Sequence, residues 1–285
     1  MNVSKDITGI IILYDTTIEI IDCLKRLEDI KFIIVDNGKC DKEIINKILK
    51  FKNIIKYFKP KKNLGFGRAN NFAFKHVDTK YTLLINADVK TSVKDVEELV
   101  NTFIKYPNTG ISVPILVDEY DTNIDFLESL PEISSRFNYQ STVNEKIMSG
   151  DTCITFCWAA IMLLNNKIIE NTKLFNKKYF LFWEDYDLCR KLYNKKIPII
   201  KTYLSHAQHL RHKSVKDNYK NYFLIQMYHV LSSYIYFDID KKNKLLTKRL
   251  FIYLFRSITY MFIFNIKKSL KNIARLTAII KYKFK

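Results

Sequence analysis

Three acids are set among aromatic side chains in the run Phe182, Trp183, Glu184, Asp185, Tyr186 and Asp187. Desolvation in such surroundings raises a carboxylate's pKa, and a nearby cation or metal lowers it, so Glu184 and Asp185 could supply a tuned general base. The same acids suit the start of a helix, because they precede the helix-periodic Leu188, Cys189, Leu192 and Tyr193. Negative charge at a helix N-terminus is favourable by itself, so the run alone supports both readings.

Three more clusters offer chemistry. Asp36 and Asn37 end the apolar run 32–35 and precede Gly38, where a carboxylate could accept hydrogen bonds from a base or ribose, although Asp-Asn-Gly is equally a turn. Asn63, Gly65, Gly67, Asn70 and Asn71 lie where a strand gives way to a helix, with glycines that permit close backbone approach and a helix start that favours an anion. The segment is neither a P-loop nor a GxGxxG fingerprint. Asn86 and Asp88 end the apolar run 83–85. Asp88 there suits Mg²⁺ or Mn²⁺, which need few protein ligands when a diphosphate supplies the other oxygens; an Asx turn is the plainer reading. His206, His209 and His212 recur at intervals of three, on a helix face or in a loop. Trp158 offers an aromatic face for a sugar ring or for the core.

The elements that must position these residues alternate in type. Strand-like runs at 8–13, 32–35, 54–58, 81–85 and 111–117 are separated by helix-like stretches at 18–27, 43–49, 66–76 and 93–103, the pattern of a parallel α/β sheet. Ligands bind such sheets outside the carboxyl ends of the strands, and Tyr14 with Asp15, Asp36 with Asn37, and Asn86 with Asp88 stand at those ends. Residues 118–150 lose periodicity and read as an excursion or loop. An apolar stretch, 153–164, and a strand at 197–203 flank the acidic run.

A chain of 285 residues, 48% hydrophobic, can bury a sizeable core. Cys23, Cys40, Cys153, Cys157 and Cys189 lack paired spacing and read as reduced thiols, with no zinc site at Cys153 and Cys157. The apolar run near the N-terminus is too brief for a signal core, so the expected location is cytoplasmic. Residues 241–285 carry thirteen Lys or Arg and no Asp or Glu; taking thirteen from the net +18 leaves +5 for residues 1–240. The basic excess is therefore a property of the tail and no argument for a nucleic-acid partner.

Taken in order, Asp36-Asn37-Gly38, Asn63-x-Gly65-x-Gly67-x-x-Asn70, Asn86-x-Asp88, Glu184-Asp185-x-Asp187-Leu188-Cys189-x-Lys191 and His209-x-x-x-x-Ser214 resemble the motifs of family 2 glycosyltransferases. The resemblance spans about residues 8–215 and is nearest to the bacterial rhamnosyltransferase-like branch. It implies a GT-A fold, an α/β architecture with a mostly parallel nucleotide-sugar-binding sheet flanked by helices, followed by a helical basic extension. The implied division is 1–215 for the transferase domain, with 1–117 binding nucleotide and 118–215 the acceptor and catalytic half, and 216–285 for the extension. It further implies inverting transfer from a nucleotide-diphosphate sugar, dTDP-rhamnose in that branch, to a glycan or lipid-linked acceptor. By position, Asp185 would be the general base and Glu184 a supporting acid. Tyr14, Asp36, Asn63, Gly65, Asn70 and Asn86 would bind the donor, with Asp36 at the base. Asp88 and His209 would hold Mg²⁺ or Mn²⁺, Asn86 standing where many relatives carry the first Asp of DxD. Trp158 would face the acceptor, and Arg211 and Lys213 would help neutralise the diphosphate.

The tail reads as helices at 216–236 and 245–283, with Arg256 interrupting runs too short to span a bilayer. An acid-free basic and aromatic segment suits helices lying in the headgroup region, so the expected location is peripheral, on the inner face of the cell membrane. A packed helical subdomain and a dimer contact are the other readings. Two competing functions remain at this level: a sugar nucleotidyltransferase, whose Gly-rich basic signature is missing at 8–16, and a catalytically silent sugar-binding subunit.

Overall fold

Ile7–Leu13 forms β1, followed by α1 (Glu19–Arg26), β2 (Lys31–Asp36), α2 (Lys42–Ile48), β3 (Ile54–Phe58), α3 (Phe66–Phe74) and β4 (Tyr81–Ile85). Next come β5 (Val89–Lys90), α4 (Val93–Lys105), β6 (Ile111–Val117), the short pair β7 (Glu132–Ile133) and β8 (Tyr139–Gln140), β9 (Thr152–Ile154) and β10 (Ile161–Asn165). Then follow α5 (Asn166–Ile169), α6 (Glu184–Asn194), β11 (Ile199–His209) and the tail helices α7 (Tyr219–Tyr236), α8 (Lys244–Phe262) and α9 (Ile266–Lys283). This computed structural model describes residues 3–15, 18–38, 40–120, 122, 129–133, 139–140, 149–170, 174–210 and 218–284. Two compact units emerge, Met1–Asn176 with Asp185–Val215, and Lys177–Glu184 with Lys216–Lys285.

In the first unit the sheet runs β3-β2-β1-β4-β10-β6-β11-β5, with β9 also on β11. Pairs β1·β2, β1·β4, β2·β3 and β6·β11 are parallel, whereas β10 enters antiparallel between β4 and β6. Along each apolar strand successive side chains point to opposite faces of the sheet. Ile11 and Leu13 of β1, Phe32 and Ile34 of β2, and Leu83 and Ile85 of β4 join one core with α1, α2 and α4. Ile10, Ile33, Val35 and Leu84 join the other with α3, α5 and α6. Burial on both faces explains why these strands read as continuous apolar runs. The result is the mixed α/β fold expected, a mostly parallel sheet flanked by helices. At Gly9 of β1 an added Cβ would lie 2.2 Å from the Phe32 ring, so the glycine makes room for an aromatic side chain on the neighbouring strand.

β11 is longer than the expected strand at 197–203 and carries His206 and His209, which lie neither on a helix nor in a loop. Three residues apart on a strand, they face opposite sides. Long-range bonds hold this polar end: the His206 amide donates to Asp95 Oδ1 at 2.9 Å, Thr91 Oγ1 donates to the His206 carbonyl at 3.0 Å, and Asp95 closes the capping box of α4 with Ser92. All five cysteines are free thiols; Cys157 is buried and Cys153 exposed.

In the second unit α9 packs against both α7 and α8. The segment before α6 belongs here, with Phe180 stacked on Tyr228 at 4.6 Å and Ser232 Oγ donating to the Leu181 carbonyl.

Candidate active site

Strand ends build the first part of the site. Asp36, 1% exposed at the end of β2, receives hydrogen bonds from Tyr57 Oη at 2.9 Å and Lys59 Nζ at 2.8 Å, and from the Gly38 amide. Burial pushes its carboxyl upward, but hydrogen bonds from Lys59, Tyr57, Cys40 and Gly38 outweigh it and hold the group below the ordinary range. Tyr57 and Lys59 come from the end of β3, the strand beside β2. Their role was hidden in the sequence, although strand adjacency is the signal that finds them. Tyr14, just past β1, lies against Gly38, where an added Cβ would meet the Tyr14 ring at 2.6 Å.

Asn37 ties this end to the glycine turn. Its Nδ2 donates to the Gly65 carbonyl at 3.1 Å and its Oδ1 accepts from the Leu64 amide at 2.7 Å. Asn63 Oδ1 accepts from the Gly65 amide at 2.8 Å, and Gly65, at φ 78°, occupies a left-handed conformation as the N-cap of α3. Glycine takes that conformation without the Cβ penalty. Asn70 is buried and its amide donates inside α3, to the Phe66 carbonyl. Asn71 brackets Phe175 through both its amide and its carbonyl.

The turn from β4 into β5 carries Asn86 and Asp88. Val89 pairs with His209 across β5 and β11, and the Leu210 amide donates to the Asp88 carbonyl at 3.1 Å. This pairing brings His209 Nε2 to 3.4 Å from Asp88 Oδ1, with the Asp88 side chain wholly enclosed and that of His209 19% exposed. A carboxylate oxygen beside an imidazole nitrogen is a donor set that Mn²⁺ or Mg²⁺ accepts when phosphate oxygens complete the shell. Among the described residues no cluster of three or more His, Cys, Asp or Glu side chains could hold a metal, so Asp88 and His209 are the pair of such ligands that the described residues offer here.

A short segment connects this turn to the acidic run. The Asn86 amide donates to the Ala160 carbonyl at 2.8 Å, while the Ala159 amide hydrogen-bonds the Asp185 carboxylate. Trp158 stands beside them, partly buried, and its indole N–H finds no hydrogen-bond partner among the described residues. Phe156 stacks on Tyr186 at 4.0 Å and 11°, locking the segment onto the first turn of α6. Burial pushes the Asp185 carboxyl up to about 6, against the pull of the Tyr186, Ala159 and Asp185 amides. That value suits a base working near neutral pH.

The acids of the run divide their work. Asp187 is buried and pairs with Lys191 at 2.7 Å and Arg190 at 3.3 Å along α6. Glu184 is buried as the first residue of α6, and the preceding Phe182 and Trp183 both hold positive φ, 65° and 68°. Such conformations cost about 1–3 kcal/mol each in non-glycine residues and cluster where the surrounding structure needs a particular chain direction. Arg211, His212, Lys213 and Ser214 lie outside the described residues.

Polar residues gathered at the strand ends of a mostly parallel sheet stand where α/β proteins of this architecture bind their ligands. The model described as glycosyl transferase family 2 matches residues 14–169, more than half of the 285 residues, and the chain belongs to that family. No curated protein matches the sequence. Among solved structures, a mannosyltransferase from Pyrobaculum calidifontis aligns with a TM-score of 0.57 at 10% identity, over 97% of this chain and 73% of that one. TarS 1-349 of S. aureus aligns at 0.55 and 13%, over 98% and 91%. GalNAc-T7 aligns at 0.56 and 11%, over 78% of this chain but only 47% of its own length. At such identities the likeness is one of fold.

Proposed function

We propose that this protein transfers a sugar from a nucleotide-diphosphate donor to a hydroxyl of a lipid-linked or polysaccharide acceptor, with inversion at the anomeric carbon. The observation that carries the reading is the bridge through Ala159 and Ala160, which couples the Asn86–Asp88 turn to a carboxylate poised near 6. The structural neighbours support this reading: the mannosyltransferase is in complex with GDP-Man and Mn²⁺, GalNAc-T7 with UDP, GalNAc and Mn²⁺, and TarS with UDP.

The transferase domain would comprise residues 1–215, its nucleotide half 1–117. Asp36, with Tyr57 and Lys59 bonded to it, would receive the base, and Tyr14, Asn63, Gly65, Asn70 and Asn86 would line the rest of the donor crevice. Trp158 would face the acceptor, its aromatic face offered to a sugar ring. Asp185 would take the proton of the acceptor hydroxyl as that oxygen bonds to the anomeric carbon and the bond to the diphosphate breaks; general-base help of this kind is worth ~10²–10⁴ in rate. Glu184, at the head of the same helix, would support the acceptor. Held by Asp88 and His209, Mg²⁺ or Mn²⁺ would neutralise charge growing on the departing diphosphate. Rhamnose carried on dTDP is the donor we favour, on the resemblance of the motifs to the rhamnosyltransferase-like branch.

A nucleotide-sugar panel tests the proposal by release of nucleoside diphosphate in Mg²⁺ or Mn²⁺. Release from one donor, abolished by chelation and by Asp88→Asn, is expected. No release from any donor, together with no donor-induced thermal shift, would replace this function with a silent binding subunit.

A further inference from the structure

On α8, six apolar side chains, Phe251, Leu254, Phe255, Ile258, Met261 and Phe262, stand 41% to 74% exposed. At 100° per residue they fall in one sector of about 120°. The opposite side of the helix holds the contacts to α9: Leu246 and Ser257 are buried there, Ser269 Oγ donates to the Ser257 carbonyl at 2.9 Å, and Arg275 lies 5.6 Å from the Tyr253 ring centre. The turn that ends α8 continues the apolar edge with Phe264, 90% exposed. An apolar strip of this size in water calls for a partner.

The charge around the strip says which. Lys248, Arg249 and Arg256 lie on α8 outside the apolar sector, Lys267 and Lys268 follow the turn, and residues 241–285 contain no acid. A second copy would oppose one acid-free basic surface to another, a repulsive pairing. A transmembrane placement is equally unsuited, since no helix among the described residues is long and apolar enough to cross a bilayer. An anionic bilayer satisfies both features: acyl chains take the phenylalanines, while lysines snorkel to lipid phosphates.

We infer that α8 and the turn after it form a monotopic membrane-docking edge, with α8 lying in the plane of an anionic leaflet and Phe251, Phe255, Phe262 and Phe264 inserted. This goes beyond glycosyl transfer and stands without it. It replaces the general expectation of a basic, aromatic tail with a particular helix face.

The whole chain is sedimented with vesicles of phosphatidylcholine alone or mixed with phosphatidylglycerol, beside Phe255→Glu/Phe262→Glu and Lys267→Gln/Lys268→Gln variants. Both side-chain sets are surface positions, and circular dichroism with thermal melting verifies that the variants fold. The wild type is expected to bind the anionic vesicles and to weaken with salt, and each double variant to lose roughly tenfold or more. A Phe262→Trp variant should shift its emission to the blue on the same vesicles. Wild-type protein that stays in the supernatant, or double variants that bind as well as wild type, would overturn the inference. A concentration-dependent dimer abolished by Phe255→Glu without vesicle binding would assign the strip to a second copy and overturn it equally.

Discussion

Asp185 and Asp36 act on stability in opposite senses. The Asp185 carboxyl ionises near 6 in the fold against about 3.8 for an unperturbed group. A raised pKa means that the native state binds its proton more tightly than the unfolded chain, so the associated stability is present below about pH 4 and lost as pH rises through 6. Asp185→Asn removes a penalty of roughly 2–3 kcal/mol at neutral pH. Melting curves should find the variant more stable than wild type at pH 7 and indistinguishable at pH 4. Asp36 works in the other sense. Its lowered pKa contributes stability above the ordinary carboxylate range, lost as pH falls through the folded value. Tyr57→Phe should therefore cost about 1–2 kcal/mol at pH 7, shrinking in acid, with KM for the donor rising more than kcat falls. Lys59 is largely exposed, so its pairing with Asp36 adds less than the tyrosine.

At the level of elements, the glycine turn is only as firm as its clamp. Asn37 satisfies one carbonyl and one amide of the turn from a buried position. Asn37→Ala leaves both groups to find other partners and should destabilise by about 1–3 kcal/mol. Amide exchange at Leu64 and Gly65 should speed up while the core strands stay protected; uniform acceleration would mean that the turn is not a local unit. The strands that support this turn were legible, because β1, β2 and β4 are apolar runs buried on both faces. The end of β11 was not, since Ser205, His206 and Gln208 look like loop residues, and only pairing with β5 and β6 makes them a strand. The stretch 153–164 read as one apolar run. It divides into β9, the bridge to Asp185 and an antiparallel β10, a reversal that apolarity alone does not encode.

Across the whole molecule, charge and chemistry are segregated. The acids and histidines of the candidate site belong to motifs spread over residues 14–209, whereas thirteen basic side chains without an acid fill 241–285. The motif residues were legible in the sequence because strand ends and Gly-rich turns have recognisable spacing. The partners that tune them, Tyr57 and Lys59 for Asp36 and the Ala159 amide for Asp185, are set by tertiary contacts and left no local trace. The most direct test of glycosyl transfer by this site is turnover of the selected donor, in the presence of divalent metal, by wild type beside Asp185→Asn. Nucleoside diphosphate release should fall by ~10²–10⁴ in the variant while the donor-induced thermal shift persists. Undiminished release by Asp185→Asn would contradict the role of this carboxylate as the base.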